Sequence, residues 1–276
     1  MADNRLAQHI VEVKDLHFSF GDVPIFRGLS LGIETGKVVA ILGASGVGKS
    51  TLLKLIGAQL SPSRGSVKVM GRDIHALDPE ELYKLRLGMG MMFQSSGLFT
   101  DLSVFDNLAF PINENFEAPA EAVRRLVLMK LNAVGLRGAR DMMPADLSGG
   151  MTRRVALARA VATDPTLMMY DEPFAGLDPI SLTHIVELIR TLNGALGLTS
   201  IVVTYDVSEA LKVADYAYMI ADGTVHAQGT PEELRRSQDP YLQQFLKAEP
   251  DGPVRFHVPG PSLEEDLGLK IPSPSE

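Results

Sequence analysis

The sequence predicts an α/β fold, with an N-terminal antiparallel β subdomain, a core of buried strands, and an inserted α-helical subdomain. Three observations carry this expectation. Residues 10–33 alternate apolar and polar side chains on both sides of a turn at Gly21-Asp22, as two strands with one buried face require. Residues 37–42, 166–171 and 199–204 are short, largely apolar runs suited to buried strands. Between about 80 and 165 helical periodicity takes over, most clearly over 118–134 and 150–162, so a helical lobe interrupts the strand series.

The elements follow in order. After Lys37-Val-Val-Ala-Ile-Leu42 comes a glycine-rich segment, and from Gly48 the pattern Lys49, Leu52, Leu53, Leu55, Ile56 has helical spacing. The glycines therefore lie between a strand and a helix. Beyond Gln244-Phe-Leu246 the composition turns to Pro, Gly, Ser and charge through Glu276, as expected of an extended tail. The expected organisation is one domain over 1–248, its helical subdomain at about 85–165, and a tail over 249–276 able to act as a subunit-binding arm.

A chain of 276 residues can bury a large single core. Its 45% hydrophobic and 22% charged residues are ordinary for a globular protein, and no apolar run approaches the roughly 20 residues of a membrane span. Any work at a membrane is then expected to go through partners. The N-terminus lacks an export signal and cysteine is absent, which points to a cytosolic location without disulfides or thiolate metal sites. A net charge of −8 argues against nucleic acid as a partner, because phosphate neutralisation needs a basic face.

Gly43-Ala-Ser45-Gly46-Val-Gly48-Lys49-Ser50 has the composition of a phosphate loop. Glycines let backbone N–H groups approach phosphate oxygens, and the following helix aims its positive end at the same anion. Lys49 is suited to the β and γ phosphates of ATP, Ser50 to Mg2+ and Thr51 to the α phosphate. Leu167-Met-Met-Tyr-Asp171 delivers a carboxylate at the end of an apolar strand, a second Mg2+ partner, and Glu172 beside it is the natural general base for water attack. A third segment, Leu147-Ser148-Gly149-Gly150-Met151, starts a helix with a second anion-binding terminus.

In this order the motifs resemble the nucleotide-binding subunit of ABC transporters, a P-loop NTPase with a RecA-like core, over roughly residues 10–230. The resemblance implies that Ser148, Gly149 and Gly150 close on the ATP of a second copy of the chain. It implies that Phe20 stacks on adenine and that Gln94 touches Mg2+ or water and links the core to the helical lobe. Asp178, in Ala175-Gly-Leu-Asp178, corresponds to the carboxylate of the loop that communicates between the two sites. Tyr205 departs from the pattern, since the family places histidine before Asp206. A tyrosine hydroxyl still donates to phosphate but is neutral near pH 7, so binding is expected to survive while hydrolysis slows. The opposing reading is that Glu172 suffices and Tyr205 is fully competent.

The apolar stretch from Phe93 to Pro111, Leu136-Arg-Gly-Ala139 and the segment Asp251-Gly-Pro-Val-Arg-Phe256 look like the ATPases of MCE-type lipid transporters. That resemblance implies phospholipid as the transported substrate and a role in outer-membrane lipid asymmetry. It also implies a place on the cytoplasmic face of a bacterial inner membrane, with a permease, a periplasmic MCE-domain protein and a cytosolic STAS-domain protein as partners. An ATPase for a small-solute importer is the alternative, and a soluble ABC ATPase acting on DNA or ribosomes a more remote one. The last is expected to carry a coiled-coil insertion, fused cassettes or a basic face, none of which the sequence contains.

Overall fold

The computed structural model describes residues 9–250, 252–254, 260 and 263–268. In chain order the elements are β1 (His9–Phe20), β2 (Val23–Glu34), β3 (Val38–Leu42), α1 (Lys49–Ile56), β4 (Arg64–Val69), β5 (Arg72–Asp73), α2 (Pro79–Arg86), β6 (Met89–Met92), α3 (Val104–Asn115) and α4 (Ala120–Ala133). There follow α5 (Gly149–Ala160), β7 (Leu167–Asp171), α6 (Pro179–Leu196), β8 (Thr199–Thr204), α7 (Val207–Val213), β9 (Tyr216–Ala221), β10 (Thr224–Gly229), α8 (Pro231–Arg236), α9 (Pro240–Lys247) and α10 (Leu263–Asp266). Two compact units meet in sequence at Leu234/Arg235, inside α8.

The first unit holds two sheets. β1 and β2 pair antiparallel across Gly21-Asp22, and β4 and β5 extend them into a four-stranded antiparallel sheet ordered β2-β1-β4-β5. The second sheet runs β10-β9-β3-β8-β7-β6, parallel except for β10 on β9. β3, β7 and β8 are buried at every position, which explains their nearly continuous apolar sequences. β6 falls inside the span that reads as helical. At four residues it is too short to show a strand period, and it is recognisable only by its pairing with β7.

Two hydrophobic cores support these layers. One packs β1, β2 and β4 against α1 and the parallel sheet through Leu16, Leu29, Ile33, Leu52, Ile41 and Val203. The other joins α3, α4 and α5 through Val104, Leu108, Val127, Leu131, Val155 and Ala158. Burying each such aliphatic side chain contributes about 1.5–3 kcal/mol. The helical lobe thus has a core of its own.

In the second unit Asp239 caps α9 by accepting from the Leu242 N–H at 2.8 Å, and Pro240 occupies the first turn. Gln244 then holds the segment that follows. Its amide donates to the Val254 carbonyl and accepts from the Val254 N–H, both at 2.8 Å. Of the apolar anchors expected in the tail, Val254 is partly buried and Leu267 is exposed, while Phe256, Val258, the Leu263 side chain and Leu269 lie outside the described residues.

Candidate active site

β3 ends at Leu42, and the chain turns through residues 43–48 into α1. Two glycines there are required by space as well as by backbone angle. Gly48 has φ +103, and a Cβ would stand 2.4 Å from Cγ2 of Ile25; a Cβ on Gly43 would stand 2.6 Å from the Ile220 carbonyl oxygen. Ser45 and Gly46 are exposed on the rim of a cavity of about 390 Å³ shared with Ile25, Arg27 and Gly223. Lys49 is buried and folds back, donating from Nζ to the Gly43 and Ala44 carbonyls at 2.9 and 3.0 Å. Ser50 donates from Oγ to Asp171 Oδ1 at 2.7 Å, joining both halves of the expected phosphate site, and Thr51 follows, partly buried.

The carboxylates come from the end of β7. Asp171 and Glu172 are both buried, and Glu172 adopts φ +47 with its N–H bonded to the Val203 carbonyl of β8. Glu172 Oε1 lies 3.6 Å from Lys49 Nζ. Burial pushes the Glu172 carboxyl above its ordinary range, against the Thr204 side chain, the Lys49 charge and the Tyr205 N–H. Burial likewise draws the Lys49 ammonium down, opposed by Glu172 and Asp171. The Tyr205 N–H donates to Glu172 Oε2 at 3.2 Å while its side chain is 49% exposed. Position 205 therefore holds the base through a peptide N–H that any residue other than proline supplies.

Gln94 is exposed in the turn after β6. Because Met92 pairs with Tyr170, the register brings Gln94 out at the same sheet end as Asp171. Among the described residues no cluster of three or more His, Cys, Asp or Glu side chains forms a metal cage. Ser50, Asp171 and Gln94 instead supply a few hard oxygens at one sheet end. That sparse set fits Mg2+, which takes one or two protein carboxylates and completes its shell from phosphate and water.

Ser148 caps α5, its Oγ accepting from the Met151 N–H at 3.3 Å. The two following glycines differ. A Cβ on Gly150 would meet Ser181 Oγ of α6 at 2.4 Å, whereas one on Gly149 would enter open space. Packing accounts for Gly150 only. α5 belongs to the core of the helical lobe and α1 to the other, so the starts of these two helices stand on separate supports. Asp178 is exposed and caps α6, accepting from the Ile180 and Ser181 N–H groups at 3.0 Å, and its hydrogen bonds with Ser181 hold its carboxyl below the usual range. Phe20 closes β1 half exposed, in T-shaped contact with Phe18 at 4.9 Å between ring centroids.

Sequence reasoning passed over two arginines of α5. Arg153 donates from Nη2 to the Ala175 carbonyl at 3.2 Å, and burial draws its guanidinium down against the nearby Tyr205, Asp171 and Glu172. Arg159 donates to the Gly97 and Ser96 carbonyls at 2.7 and 3.3 Å and lies over the Phe99 ring. Arginines on a helix usually mark a solvated face, so no pattern singled them out. Arg159 also lines a groove of about 540 Å³ with Tyr83, Met91, Phe93, Phe99 and Phe110.

Comparison with known proteins agrees with this geometry. The chain is 56% identical over 260 residues to the Intermembrane phospholipid transport system ATP-binding protein MlaF of Haemophilus influenzae, covering 94% of this chain and 98% of that one. It is 48% identical over 259 residues to MlaF of Escherichia coli K12, covering 94% and 96%. An ATP-binding cassette solved as a dimer in a post-hydrolysis state with ADP and Pi superposes with a TM-score of 0.73 at 30% identity, covering 80% of this chain and 98% of that one. Residues 26–175, from β2 through Ala175, match the ABC transporter family, to which this chain belongs.

Proposed function

We propose that the chain is the Mg2+-dependent ATPase subunit of a transporter that moves phospholipid between inner and outer membranes and maintains lipid asymmetry. The Ser50–Asp171 hydrogen bond beside the buried Lys49–Glu172 pair carries the catalytic reading. The MlaF relatives, similar over nearly their whole length, carry the lipid reading.

Lys49 exchanges its two carbonyl partners for the β and γ phosphates. Ser50 and Asp171, with Gln94, would hold Mg2+, which when bound would neutralise phosphate charge. Glu172, held by the Tyr205 N–H, orients and deprotonates the attacking water. Phe20 offers its half-exposed ring to adenine, and Gly43, Ser45, Gly46, Gly48 and Thr51 surround the phosphates. Ser148, Gly149 and Gly150 of a second copy close over the same nucleotide, with Asp178 beside them. The dimeric solved cassette supports that pairing.

The apolar groove around Phe93, Phe99 and Phe110 suits a short helix of an integral permease. No helix among the described residues is long and apolar enough to cross a membrane. The MlaF relatives support a peripheral place on the cytoplasmic face of the inner membrane, held through partners. A periplasmic MCE-domain protein and a cytosolic STAS-domain protein complete the complex.

Mass spectrometry of the complex captured through this subunit from membranes tests the assignment. A permease with an MCE protein is the expected result; an amino-acid permease would move the chain to the importer class. Glu172→Gln should lower ATP turnover by about 10²–10⁴-fold while retaining ATP.

A further inference from the structure

The signature helix α5 holds the loop that carries Gln94 from both sides. Arg153 Nη1 reaches the Phe93 carbonyl at 3.5 Å, the outer limit of a hydrogen bond, on the residue before Gln94. Six residues on, Arg159 binds the Ser96 and Gly97 carbonyls on the other side. Ser96 has φ +64, so this loop departs from any regular element and needs outside anchors.

Arg153 also makes a second, shorter bond to the Ala175 carbonyl, where the loop leading to Asp178 begins. Its guanidinium is within electrostatic reach of Tyr205, Asp171 and Glu172. One side chain on the helical lobe thus bonds to the approaches to Gln94 and Asp178 and feels the charge of Asp171 and Glu172.

We propose that Arg153 is a positioning residue for hydrolysis, tying the signature helix to the backbone before Gln94 and at Ala175 so that movement of the helical lobe sets both loops together. A planar guanidinium suits this because its fixed fork of donors spans two carbonyls at once, which a lysine ammonium serves less well. Two of its five N–H donors are used on these carbonyls, one from each Nη. Arg159, at the groove, gives an occupant of that groove a direct hold on the same loop.

This inference rests on the hydrolysis reading, and the test keeps the two apart. Steady-state ATPase rates, ATP affinity and thermal midpoints are to be measured for the full chain in its membrane complex. The set comprises the unaltered protein, Arg153→Gln, Arg153→Lys, Gln94→Ala and Gln94→Ala with Arg153→Gln. Arg153→Gln is expected to lower kcat about tenfold with KM for ATP and the thermal midpoint unchanged, and Arg153→Lys to recover part of the loss. In the Gln94→Ala background the same change should cost less than threefold, because the residue acts through that loop. A kcat equal to the unaltered protein, a KM rising as kcat falls, or losses that multiply fully in the double variant would each overturn the assignment. Absence of turnover in the unaltered complex would sink the hydrolysis reading itself.

Discussion

At the level of single residues, the structure separates what a side chain does from what its backbone does. Tyr205 replaces a histidine expected from the family, yet the contact it makes with Glu172 comes from its N–H. Tyr205→His should therefore leave Glu172 in place and, by restoring a titratable group near the γ phosphate, raise single-turnover hydrolysis; a slower histidine variant would show tyrosine to be fully competent. His75 offers a pH-dependent case. Its Nε2 is buried without a partner, and burial holds the ring below its ordinary range despite Asp73 and a backbone bond with Leu55. With the folded value below the unfolded one, the unfolded chain takes the extra proton, so stability is full above about pH 6.5 and falls as the pH drops below it. Urea midpoints should decline more steeply from pH 7 to 5 in the unaltered chain than in His75→Phe, and parallel declines would remove His75 as the cause.

At the level of elements, the α5 start tests whether its glycines serve packing or a second nucleotide. Gly150→Ala should destabilise by about 1–3 kcal/mol as its Cβ drives against Ser181, visible as a lower thermal midpoint. Gly149→Ala meets nothing and improves helix propensity, so its midpoint should hold or rise. If the signature closes on a second copy, Gly149→Ala will nevertheless weaken ATP-dependent dimerisation in a Glu172→Gln background, measured by light scattering; undiminished dimerisation would exclude that role. These elements also show what was legible in advance. The phosphate loop, Asp171-Glu172 and the signature could be read because each is a run of contiguous residues at the end of a strand or the start of a helix. Arg153 and Arg159 could not, because their partners lie 22 to 63 positions away in sequence. β6 escaped for a related reason, since only β7 defines it.

At the level of the whole molecule, the clamp of Gln244 on Val254 ties the start of the tail to α9. Truncation after Ala248 should weaken self-association or partner binding, read by analytical ultracentrifugation and by recovery of the complex; unchanged assembly would remove the arm. The six-stranded sheet carries a different consequence. β8 lies between β3, which leads to Lys49, and β7, which ends at Asp171 and Glu172. It spaces the two halves of the site by two strand intervals, about 9–10 Å, and supplies Val203 and Thr204, which with the N–H of Tyr205 just beyond the strand hold the base. During synthesis both sequence motifs leave the ribosome before this strand does. A nascent chain halted before Thr199 holds both motifs yet lacks the strand that sets their spacing, so the two halves of the site take up their native separation only once residues 199–204 have been made.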